Sequence, residues 1–257
     1  MFMFCGSSST RQFKFDVHGN FSVNVFSASS MKGLSNPKSV IGHGEVVRNL
    51  ALIPIPKVLL LHFGEVDVEF GYYRKFCERM EIDEDNFFGE IINSFNKFIE
   101  EIIDKSQNTR SVSSICVLMP QPCPLRDETF CRVTSQFADV SVEKMQEIAD
   151  YIDIRHAARN KRCVSFNNLL EANLIKDRKI KCFRVDKDML DKNYEYRSEY
   201  LPKSTSEHHA EPRTTFPLWQ EKLQNEVKPY RVLVKRRAKR LDALAASAPP
   251  VAHAMAM

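Results

Sequence analysis

Two segments constrain the fold more than any others. KVLLLHF (57–63) and SSICVLMP (113–120) are nearly continuous apolar runs. A strand with one wet face alternates apolar and polar residues; a run that is apolar almost throughout needs cover on both faces, as in a parallel sheet between helices. Three further short runs, MFMFC (1–5), FSVNVFSA (21–28) and KIKCFRVD (179–186), read as strands of the same sheet. Between the strands lie helical patterns. In residues 83–104, Phe88, Ile91, Ile92, Phe95, Phe98, Ile99, Ile102 and Ile103 recur at three- and four-residue steps, with Asp85 the expected N-cap and acids crowding the first turn. A second, broken helical stretch follows Ser141 to about Ile175, and a last helix around Pro217–Val227 carries the only Trp.

Strands alternating with helices of this length predict βαβ units and a five-stranded parallel sheet with helices on both faces, a three-layer α/β/α architecture. One domain is expected over residues 1–230, with 187–216 a long polar loop. Residues 231–257 are basic and then Ala- and Pro-rich, a composition expected to be disordered.

Composition narrows the function classes. No run approaches the roughly 18–20 apolar residues that span a bilayer, so no membrane is expected. The first residues lack the basic and longer apolar regions of a signal peptide, and a cytoplasmic location is the expectation. The seven cysteines form an odd set without a Cys-x-x-Cys pair and read as reduced thiols; neither a metal nor a cofactor is expected. The net charge of +4 is concentrated at the end of the chain, where Lys235, Arg236, Arg237, Lys239 and Arg240 face one acid, Asp242. The rest is balanced, so nucleic acid is not an expected partner.

In parallel sheets ligands bind beyond the carboxyl ends of the strands. The first strand runs into Gly6-Ser7-Ser8-Ser9, which can present a hydroxyl beside the N–H groups of a helix start; the same residues also suit an ordinary N-cap. The second is followed by Met31-Lys32-Gly33-Leu34, where Gly33 can turn its N–H toward a ligand. The third stops at Gly64 and runs into Glu65, Asp67 and Glu69, alternating with Val66, Val68 and Phe70. That period of two places the acids on one side, with Asp67 expected to bind nearby backbone and Glu65 to face the pocket or its rim. The fourth leads into the stiff loop Pro120-Gln121-Pro122-Cys123-Pro124. Before the last helix stands Glu207-His208-His209, and histidine is the usual general base near neutral pH.

In order and placement these blocks resemble the SGNH (GDSL-like) hydrolase superfamily, over about residues 1–227. Gly6-Ser7-Ser8-Ser9 is similar to its Gly-Asp-Ser block, Gly33 to the glycine of the second, Gly64-Glu65-Val66-Asp67 to the Gly-x-Asn-Asp block, and Glu207-His208-His209 to the last. The resemblance implies a flavodoxin-like fold and acyl transfer on a small ester, for example an O-acyl group on a carbohydrate. Ser8 would be the nucleophile and His209 the base, with His208 beside it and Glu207 the orienting acid. The N–H groups of Gly33 and Ser8 would hold the oxyanion, and Gly64, Glu65 and Asp67 would border the site. Two positions depart from the pattern: Val66 stands where it has Asn, and Ser7 where it has Asp. The alternative expectation is an SGNH-like binding or scaffold protein without a formed triad.

Overall fold

The computed structural model describes residues 1–16 and 20–235, with Phe15 and Asp16 described by backbone alone. Five strands, β1 (Phe2–Gly6), β2 (Phe21–Val25), β3 (Lys57–His62), β4 (Val112–Leu118) and β5 (Ile180–Phe183), form one sheet in the order β2-β1-β3-β4-β5. Every neighbouring pair is parallel. This is the flavodoxin-like order, with its topological switch between β1 and β3. The register sets the strand ends abreast: Gly6 pairs with both Val25 and His62, and His62 with Leu118.

Successive side chains go to opposite faces. Met3, Cys5, Leu59, Leu61, Ile115 and Val117 join one buried core with residues of α1 (His43–Leu52), α2 (Tyr72–Arg79), α3 (Glu84–Gln107) and α6 (His156–Asn173). On the other face Phe4 stacks on Phe13 at 4.5 Å, and His62 meets Trp219 edge-on at 5.5 Å. Both faces are therefore covered, as the apolar runs require. Lys57 begins β3 fully buried; its Nζ donates to the carbonyls of Ala51 (2.9 Å) and Ile53 (2.6 Å) and so neutralises the end of α1.

Several element boundaries differ from the sequence expectation, each for a local reason. The N-cap of α3 is Asp83, not Asp85: Asp83 has an extended backbone and accepts from the Asn86 N–H at 3.1 Å. Strand β2 ends at Val25, and Ala28 turns the chain away at φ 56°. Strand β5 stops at Phe183 because Arg184 pairs with the buried Asp186 carboxylate at the start of α7 (Asp186–Met189). The alternating acids after Gly64 do not extend β3. Residues 65–79 are helical, with a wide π-type turn over Asp67–Gly71 leading into α2. Helices α1, α2 and α4 (Asp127–Ala138) were not foreseen.

Ser141 caps α5 (Val142–Glu147) through the Lys144 N–H, and the broken stretch resumes as α6. The helix expected around Pro217–Val227 is α8 (Pro212–Glu226), which starts five residues before Pro217 and contains it, and a further helical stretch follows over 228–235. Pro212 suits the first helical position, whereas Pro217 interrupts the ladder at the Arg213 carbonyl. The chain groups into two compact units, Met1–Trp219 and a second from Gln220 onward. In the second unit Arg231 donates to the carbonyls of Gln224 and Asn225. Residues 231–235 are helical, and the remainder of the tail expected to be disordered lies outside the described residues.

The cap assignment gives a direct test. Asp83→Ala should lower stability by about 1 kcal/mol in urea unfolding, and Asp85→Ala by clearly less, because only Asp83 satisfies an orphan N–H of the first turn.

Candidate active site

The site begins where β1 has no room for a side chain. A Cβ on Gly6 would collide with the Thr10 hydroxyl and the backbone and Cβ of His62, so only glycine lets β1 and β3 end this close together. Ser7 N–H then donates to the His62 carbonyl at 2.9 Å, and Ser8 opens a 3-10 helix over Ser8–Asp16. Ser8 Oγ lies 2.6 Å from His209 Nε2, a contact between residues 201 positions apart. His209 Nδ1 lies 2.7 Å from Glu207 Oε1, which also accepts the His209 backbone N–H at 3.0 Å. A neutral ring with its proton on Nδ1 donates to Glu207 and accepts from the Ser8 hydroxyl, satisfying both contacts. The loop carrying these residues is tied down by Thr129 Oγ1, which donates to the Thr205 carbonyl at 2.6 Å.

Electrostatics around this row are uneven. Burial works against a charge on Glu207, but hydrogen bonds from the His209 ring and backbone outweigh it and hold the carboxyl below its ordinary range. His208 is pushed down to about 4 by burial and by the neighbouring His209, so its ring is neutral near pH 7. That ring lies 3.9 Å from His209 between centroids and packs against Phe137 (4.7 Å) and Phe70 (5.6 Å).

Within the third block, Glu65 reaches the turn that carries Ser8, while Asp67 reaches the segment after β2. Gly64 has φ 113°, and Pro120, Met31 and Phe166 crowd the place a Cβ would take. Glu65 is buried, and its Oε2 accepts from the hydroxyls of Ser7 (2.9 Å) and Ser9, the two residues flanking Ser8. Its Oε1 faces His62 Nε2 at 3.5 Å, while His62 Nδ1 lies 3.3 Å from Thr10 Oγ1. His62 is fully buried, which pushes its pKa down. Asp67 binds backbone, accepting from the N–H groups of Met31 (2.5 Å) and Lys32 (3.2 Å). Burial lifts it to about 6 against those bonds. Burial also raises Glu69, helped by the nearby Glu65.

The sequence-predicted residues thus line two separate spaces, with Gly64, Glu65 and His208 on neither. Ser8, Glu207 and His209 border a cavity of about 270 Å³ together with Ser9, Arg11, Gln12, Gln121 and Glu211. Gly33, Val66 and Asp67 line a different, open groove of about 1030 Å³ between α2 and α3. The Gly33 N–H, expected at an oxyanion, donates to Ser30 Oγ at 2.9 Å. Sequence reading had not singled out Arg11, Gln12 and Gln121. Only Gln121 carried a signal, its place in the proline-fixed loop after β4.

No family model and no curated protein matches this chain. Among solved structures it is similar to a candidate platelet activating factor from Streptococcus pneumonia, at 14% identity and TM-score 0.47 over 87% of this chain and 82% of that one. A GDSL-like lipase from Bacteroides thetaiotaomicron aligns at 12% identity and TM-score 0.41, over 88% of each chain. The lipase Lip_vut3 from a goat rumen metagenome aligns at 14% and 0.42, over 83% of this chain and 90% of that one.

Asp67 makes stability depend on pH. A carboxyl raised from 3.8 to about 6 in the folded chain contributes fully below about pH 4 and loses that contribution as pH rises through about 6. The melting temperature of the wild type, measured relative to Asp67→Asn, should therefore fall between about pH 4 and 6 and level off above, as expected for a shift costing on the order of 3 kcal/mol.

Proposed function

We propose that this chain is a serine hydrolase of the SGNH kind that cleaves a small ester through an acyl-enzyme. The observation that carries the reading is the hydrogen-bonded row Ser8–His209–Glu207. Ser8 Oγ attacks the ester carbonyl while His209 Nε2 takes its proton; Glu207 holds the ring in the needed tautomer and stabilises the imidazolium. His209 then gives the proton to the leaving alcohol, and water repeats the cycle on the acyl group. With Val66 at the usual Asn position and Gly33 N–H bound to Ser30, oxyanion stabilisation falls to the Ser8 backbone N–H and to Arg11 and Gln121 on the same cavity. A space of about 270 Å³ suits a short acyl chain, and an O-acyl group on a carbohydrate is one ester of that kind.

Fluorophosphonate labelling of wild type, Ser8→Ala and His209→Ala is the decisive experiment. Wild type should label, Ser8→Ala should not, and His209→Ala should label at least about 10³-fold more slowly, since the serine loses its base. Hydrolysis of p-nitrophenyl acetate should exceed that of longer acyl esters. Labelling indifferent to Ser8 would overturn the reading in favour of a binding or scaffold protein. Glu65→Ala frees the serines on both sides of the nucleophile and should lower kcat roughly 10²-fold with little change in KM.

A further inference from the structure

We propose that Glu207, His208 and His209 form a zinc site whose occupancy silences the base. The inference rests on the reading above that His209 Nε2 accepts the Ser8 proton. One ligand atom from each of the three residues lies within 4.8 Å of the other two. Glu207 Oε1 is 2.7 Å from His209 Nδ1 and 3.7 Å from His208 Nδ1. In tetrahedral zinc with bonds of about 2.0–2.1 Å, neighbouring donors stand roughly 3.3 Å apart. The first separation must open and the second close, each by roughly half an ångström.

Two imidazoles and one carboxylate are a good zinc set, leaving a fourth position for water. The Glu207 side chain is 45% exposed and the two rings behind it 18% and 21%, so an ion meets the carboxylate first and the imidazoles second. His208 takes no part in the proton relay, and the packing of Phe70 and Phe137 against its ring fixes its orientation.

Occupancy would switch off catalysis through the tautomer. A neutral imidazole binds metal through its unprotonated nitrogen. In the relay His209 carries its proton on Nδ1 and offers the lone pair of Nε2 to Ser8. Zinc at Nδ1 needs the lone pair there, so the single ring proton moves through solvent to Nε2, with none gained or lost. Nε2–H then points at Ser8 Oγ as a donor and cannot take the serine proton.

Calorimetric titration of the full chain with zinc chloride, in a non-chelating buffer with a phosphine reductant, tests the site without reference to activity. Wild type should bind one equivalent, and both His208→Ala and Glu207→Gln should bind at least tenfold more weakly; circular dichroism identifies a variant that has not folded, and the other then decides. Fluorophosphonate labelling of wild-type Ser8 should fall in step with zinc occupancy and return on adding EDTA. Equal affinity in folded variants and wild type, or one bound equivalent with labelling unchanged, would overturn the proposal. A metal-free wild type that does not label overturns the hydrolase reading and the inhibitory role together. Calorimetry then judges the site alone: loss of the equivalent in the variants supports it, and no binding by wild type overturns it.

Discussion

A buried carboxylate organises the region around Ser8. Glu65 Oε2 holds the hydroxyls of Ser7 and Ser9, and its other oxygen faces the fully buried His62. Burying such a group is costly unless hydrogen bonds compensate it. Here the compensation comes from Ser7 and Ser9, the two residues that flank Ser8, so satisfying the core and holding the Ser8 turn are one requirement. The same close approach of β1 and β3 that excludes a side chain at Gly6 brings the carboxylate within reach of that turn.

The sheet supplies the geometry for this. Strand order reverses between β1 and β3, so the loops leaving them diverge and open a crevice. Asp67 closes the β3 side by binding the Met31 and Lys32 N–H groups, which draws the segment after β2 against the start of the π-type turn. That contact also explains the separation of Gly33 from Ser8. The Ser30–Ser35 segment is organised around its own hydrogen bonds, including the Gly33 N–H donating to Ser30 Oγ, and borders the groove between α2 and α3.

Much of this architecture was legible because burial writes itself into pattern. Eight apolar residues at helical spacing locate α3, and nearly continuous apolar runs locate β3 and β4. What failed were places where polar groups had two possible uses. Glu65, Asp67 and Glu69 alternate as in a strand, yet the carboxylates of Glu65 and Asp67 find their donors on Ser7, Ser9, Met31 and Lys32, which a helical turn reaches. Asp83 and Asp85 are both acids near a helix start, and only backbone conformation separates them. At the site, the order of blocks pointed to Ser8 and His209, which the fold brings into contact. Spacing alone could not say whether Glu207 reaches the ring, because that depends on a turn in which one oxygen accepts both the His209 N–H and Nδ1.

That turn makes Glu207 and His209 a self-contained unit. Glu207 and His209 are joined through two bonds spanning two residues, and their mutual geometry needs nothing from the sheet. Only the link to Ser8 crosses the molecule, and the Thr129–Thr205 bond pins the loop that makes it. The Glu207–His209 pair is therefore a preassembled cassette clipped onto a scaffold. Drift in the loop's anchorage can part Ser8 from His209 while every one of these residues is still present.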